Sequence, residues 1–119
     1  MIEERRKFIR IDAGMDFTYR LKGAKAAVEK AVTKNISPCG IGGFINKDIK
    51  KGAWLELSVA LPGQKDPISA MGKVIWTADE KDGKINSGIK FEEIDADMKN
   101  RFLEHVCELM FSQLERLKV

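Results

Sequence analysis

The sequence is poor in the residues that most often carry out chemistry. His105 is its one histidine, and it sits in FLEHVCEL, an apolar-periodic run where a structural role is expected. Cys39 and Cys107 stand far apart and form no CxxC pair. With one imidazole, a metal site would have to be built from carboxylates and two isolated thiols, and none is expected. A nucleophile needs a base within reach, and neither GxxxxGK[ST] nor GxGxxG occurs in a strand-to-helix context. Glu92-Glu93 and Asp95-Asp97 read as a strand end and a helix cap. The chain is therefore not expected to be an enzyme, and no metal or other cofactor is expected.

Strong charge and long apolar runs are also missing. The net charge of +3 is far below that of a protein that coats duplex nucleic acid. Aromatic residues make up 8%, most at core positions, too few for a stacking groove on single strands. Nucleic acid is thus not an expected partner. No apolar stretch is long enough to span a bilayer, and MIEERRKFIR lacks the apolar core of a secretion signal. A cytoplasmic location without membrane insertion is expected, with both thiols free. The 119 residues, 44% hydrophobic and 33% charged, suit one globular domain with its own core.

Short strands fill the middle of the chain. DFTYRL (16–21), GIGGFI (40–45), WLELSVAL (54–61), ISAMGKVIWT (68–77) and KINSGIKFEEI (84–94) read as strands. Between them LKGAK, KDIKKG, PGQKDP and ADEKDG read as turns or loops. WLELSVAL alternates, with Leu55, Leu57, Val59 and Leu61 on one side. AKAAVEKAV (24–32) has helical propensity but lies between strands joined by short links, so a strand is favoured. From Asp95, a plausible N-cap, apolar residues recur at helical spacing to Leu117. The helix over 95–117 has a wide stripe. Its later part, around Met110, Phe111, Leu114 and Leu117, either packs on a second copy in a homodimer or folds back on its own domain.

Two segments stand out as binding candidates. The basic arm holds RRKFIR (5–10), with Arg6 and Arg10 four apart, able to close on one anionic object. A guanidinium donates two parallel hydrogen bonds to a phosphate or a guanine edge and stacks on flat rings. The second segment is NISPCGIGG (35–43). Ser37-Pro38-Cys39-Gly40 fits a type I turn. Asn35 and Ser37, two apart on a strand, share a side and offer an amide and a hydroxyl. Gly40 and Gly42 would let a flat ligand approach the backbone. Trp54 and Trp76 read as packing residues.

RxxxR followed by [D/N]xSxxG is similar to the paired motif of the PilZ domain family. Here the two are Arg6-Lys7-Phe8-Ile9-Arg10 and Asn35-Ile36-Ser37-Pro38-Cys39-Gly40. GKVIW (72–76), SGIKF (87–91) and the closing helix resemble the same family, so the likeness spans nearly the whole chain. It implies a mainly β fold, a six-stranded antiparallel barrel with a long C-terminal helix. The divisions would be a flexible basic arm over 1–13, a barrel over 14–94 and the helix over 95–117. It implies a receptor for the bacterial second messenger cyclic di-GMP, signalling to a partner protein. Arg6 and Arg10 would clasp the ligand from the arm, facing Asn35, Ser37 and Gly40 on the barrel. Arg5 would accompany binding of a stacked pair of ligand molecules. The alternative is an interaction module on the same barrel that binds no nucleotide.

Overall fold

The computed structural model describes residues 10–117. Strand β1 (Ile11–Asp12) is followed by β2 (Asp16–Leu21), β3 (Glu29–Ser37), β4 (Gly40–Asn46), β5 (Trp54–Val59), β6 (Ile68–Lys81) and β7 (Lys84–Ile94), and helix α1 (Ala96–Leu117) closes the chain. All pairings are antiparallel, in the order β1-β3-β2-β5-β6-β7-β4. Pairing of β3 with β4 closes the ring, so six strands form a barrel and the short β1 lies along β3. Closure removes the exposed edges that an open sheet of this size would present.

The alternation of the strands decides what faces inward. Leu55, Leu57, Val59 and Leu61 are all buried, as are Phe17 and Tyr19 on β2. Ile36, Ile41, Ile45, Val74 and Ile89 complete the interior from β3, β4, β6 and β7. The loop KDIKKG contributes too, since Ile49 turns into the core.

Two segments differ from their sequence reading. The strand expected over 24–32 begins only at Glu29, whose pairing with Tyr19 is the last between β2 and β3; Arg20 and Leu21 continue β2 paired with β5. Residues 24–28 form the connection, turned by Gly23 at φ 79°. ADEKDG is not a turn throughout. β6 runs on to Lys81 through an irregularity between Ala78 and Glu80, with Asp79 at φ 51°. The reversal itself needs only Asp82-Gly83, at φ 53° and 77°, the left-handed pair that a tight hairpin favours.

The arm expected over 1–13 enters the sheet at its far end. Ile11 and Asp12 pair with Ile36 and Asn35, and Ile11 is buried. Thr33 ties down the link to β2, its hydroxyl accepting from Met15 N and donating to Ala13 O. Arg5 and Arg6 lie outside the described residues.

At the other end, Asp95 caps α1, its carboxylate accepting from Asp97 N at 3.1 Å. The helix starts one residue later than expected and lies on the barrel through Phe102 and Val106, both buried. Phe102 meets Phe91 edge-on, with centroids 5.0 Å apart. Phe111 and Leu114 remain 68% and 54% exposed, so the tail does not fold back to bury them.

Two ionisable groups tie stability to pH. Glu56 accepts from Arg20 at 2.6 and 3.1 Å and from Gly23 N at 3.2 Å, and the bonds from Arg20 do most to hold its carboxyl below the usual value of 4.5. That contribution is present above the ordinary carboxylate pKa and is lost as pH falls through the lowered one. Burial pushes the Tyr19 phenol above 10.0; a hydrogen bond accepted from Asn46 N opposes the rise, and nearby Glu29 adds to it. Its contribution holds below the ordinary phenol pKa and is lost as pH climbs through the raised one. Urea unfolding against pH is expected to show a shallower acid limb in Glu56→Gln and a shallower alkaline limb in Tyr19→Phe. Unchanged limbs would remove these assignments.

Candidate ligand site

A solvent-open cavity of about 270 Å³ lies on the outer face of the barrel. Arg10, Asn35, Ser37, Cys39, Gly40 and Trp76 are among the residues lining it. Antiparallel pairing explains why the arm meets the motif. Ile11 is opposite Ile36, and continuing that register sets Arg10 beside Ser37 at the β3–β4 hairpin. The four described residues expected to bind, Arg10, Asn35, Ser37 and Gly40, thus share one wall system.

The hairpin is the expected turn. Ser37 pairs with Gly40 across Pro38-Cys39, and neither turn residue has a positive φ. The Ser37 hydroxyl accepts from Cys39 N at 3.3 Å, which steadies the turn and leaves its O–H to donate.

The glycines serve the fold as well as the cavity they line. Added at Gly40, a Cβ would lie 2.0 Å from the carbonyl oxygen of Ile89, so the space is filled by the neighbouring strand. At Gly42 it would meet Asn35 Oδ1 at 2.5 Å, so this glycine gives room to the Asn35 side chain. Both let parts of the chain approach closely, and both also line the cavity.

Trp76, read from the sequence as a packing residue, also lines the cavity. Its indole lies over Gly88, where an added Cβ would fall 2.1 Å from Nε1. The Arg10 guanidinium sits 5.6 Å from the ring centroid, within cation–π range. An irregularity in the pairing between Val74 and Trp76 lets Ile75 and Trp76 both line the cavity while Val74 stays buried. Bulges beside sites re-aim side chains in this way. Lys90 adds a second cation, with Nζ 4.0 Å from Glu92. SGIKF now reads position by position. Ser87 donates to Gly43 O at 2.9 Å, Gly88 accepts the indole and Ile89 fills the core. Lys90 faces the cavity and Phe91 meets Phe102. Trp54, by contrast, lies outside this cavity, with Lys22 Nζ 5.4 Å from its ring.

The site offers a guanidinium, an ammonium, an amide, a hydroxyl and a flat indole. That set suits an anion carrying an aromatic base. A wider groove of about 660 Å³ crosses the outer faces of β2, β5 and β6, but its guanidinium, Arg20, is already bound to Glu56. Among the described residues, no group of His, Cys, Asp or Glu is placed to hold a metal ion. Nor is any described helix long and apolar enough to cross a membrane.

The profile of the PilZ domain matches residues 4–108, and the chain belongs to that family. Its fold is similar to that of MotI/DgrA, an inhibitor of motility from Bacillus subtilis, at 23% identity and a TM-score of 0.71, covering 95% of this chain and 53% of that one. The PilZ domain of YcgR from Escherichia coli, solved with c-di-GMP, gives 16% identity and a TM-score of 0.71, covering 97% of this chain and 98% of that one. MrkH of K. pneumoniae, in complex with c-di-GMP, gives 16% and 0.73, covering 97% of this chain and 56% of that one. The chain thus spans about half the length of MotI/DgrA and MrkH. No curated protein sequence matches the chain.

Proposed function

We propose that this protein is a receptor for cyclic di-GMP that passes the signal to a partner protein. The observation carrying this reading is the meeting of Arg10 with Asn35, Ser37 and Gly40 around one cavity, with the Trp76 indole also in its lining. In this reading a guanine base enters the cavity and stacks between the indole and arginine. Arginine forks take the phosphates and the O6/N7 edge of guanine. Arg6 and Arg5 act from the arm, Arg6 clasping the ligand with Arg10 and Arg5 favouring a stacked pair of ligand molecules. Ordering of the arm over the hairpin presents a new surface, which the partner reads. No catalytic step is assigned. The family resemblance and the solved complexes of YcgR and MrkH support the choice of ligand.

Isothermal titration with cyclic di-GMP tests the reading and gives the stoichiometry. Saturable binding, at one or two ligands per chain, is expected. No heat and no shift of the arm amides on titration would leave an interaction module that binds no nucleotide. Asn35→Ala and Ser37→Ala are each expected to weaken binding by about 1–2 kcal/mol, roughly five- to thirtyfold, since each removes one or two hydrogen bonds. Wild-type affinity in both variants would remove the hairpin from the site.

A further inference from the structure

Helix α1 carries two rows of residues, one buried on the barrel and one covered only in part. Phe102 and Val106 are buried on the barrel, with Met98, Leu109 and Met110 packed beside them. The second row is Asn100, Leu103, Cys107, Met110 and Leu114, successive residues three, four, three and four apart, and Leu117 continues the spacing in sequence. Such alternation is the a and d pattern of a coiled-coil seam. Leu114 and the flanking Phe111 are 54% and 68% exposed.

We propose that this seam pairs with its own copy, joining two chains through a short parallel two-stranded coiled coil. The chemistry of the row favours a second copy over an unrelated helix. Asn100 takes an a position, where asparagine pairs with its symmetry mate and penalises slipped registers. Lys99 and Glu104 then fall at g and e, so each lysine of one copy faces the glutamate of the other. An isologous interface needs this self-complementarity.

The fold leaves room for the pair. The seam lies about a quarter turn around the helix from Phe102 and Val106. A two-fold axis along the helices therefore sends the two barrels to opposite sides. The helix offers only about three heptads, and the two residues at Leu103 and Met110 are already half-buried. The buried area then falls near the lower end of specific interfaces, so a reversible, concentration-dependent dimer is expected.

Sedimentation of the full chain over a concentration series tests this. The dimer fraction should grow with concentration, while Leu114→Glu stays monomeric and melts like the wild type. A monomer at every concentration, or undiminished dimerisation by Leu114→Glu, would overturn the proposal. Orientation is read by cross-linking Asn100→Cys with a short bis-maleimide, after replacing Cys39 and Cys107 by serine. Each thiol adds across one maleimide, so no oxidant is needed. A covalent dimer is expected from parallel helices. Its absence from a sample that sediments as a dimer would overturn the parallel arrangement, since antiparallel helices place the two positions far beyond the linker.

Discussion

Arg10→Ala is expected to weaken cyclic di-GMP binding by at least about a hundredfold while the protein unfolds as the wild type does. The side chain is exposed, so its removal opens no cavity in the core. Its visible contact is with the face of Trp76, at 5.6 Å. On binding, the fork would add two charge-assisted hydrogen bonds of about 1.5–3 kcal/mol each, and stacking on guanine comes on top. A loss of about 3 kcal/mol is already more than a hundredfold in affinity. Arg10→Lys should recover little, because an ammonium keeps the charge but neither the fork nor the flat face. Titration calorimetry checks affinity and thermal unfolding checks the fold. Wild-type affinity in Arg10→Ala would remove the Arg10 side chain from the site and place the ligand elsewhere on the protein. Arg6→Ala is expected to behave in the same way.

What the sequence could and could not tell follows from how local each signal is. Alternation over WLELSVAL needs no knowledge of neighbours, and all four residues on its apolar side are buried. β2 and β7 matched their expected bounds because glycine-bearing links flank β2, and a glycine turn and the Asp95 helix cap flank β7. The pairing of Asn35 with Ser37 was legible from the two-residue period alone, and both line the cavity. Trp76 was not. Its placement depends on an irregular pairing two strands from the hairpin, and on a glycine twelve positions away that lets the indole lie down. No pattern within GKVIW encodes either. The start of β3 was misjudged for a similar reason. Where a strand begins depends on where its ladder with the neighbouring strand begins, and β3 joins β2 only from Glu29 opposite Tyr19.

The glycines of NISPCGIGG show the same limit from the other side, and they separate fold from site by experiment. Both Gly40 and Gly42 look like room for a ligand in the sequence, yet each is filled by the protein itself. They are filled differently. Around Gly40, an added Cβ would meet the Ile89 carbonyl oxygen at 2.0 Å, the Ile89 carbonyl carbon at 3.0 Å and Lys90 Cα at 3.1 Å. All three are backbone atoms, held by the pairing of Gly40 with Lys90 and Ile41 with Ile89. They cannot step aside without spreading β4 from β7. Gly40→Ala should therefore cost about 3 kcal/mol of stability, about 10 °C in melting temperature, and weaken binding as the hairpin shifts. At Gly42 the nearest atom is the Asn35 side-chain oxygen, which can rotate away. Gly42→Ala should cost less stability than Gly40→Ala, and binding should fall because the amide leaves the cavity wall. Urea unfolding and titration of the two variants give the comparison. If Gly40→Ala unfolds like the wild type, β4 and β7 do not approach as described. If Gly42→Ala binds like the wild type, the Asn35 amide is no part of the ligand's contacts.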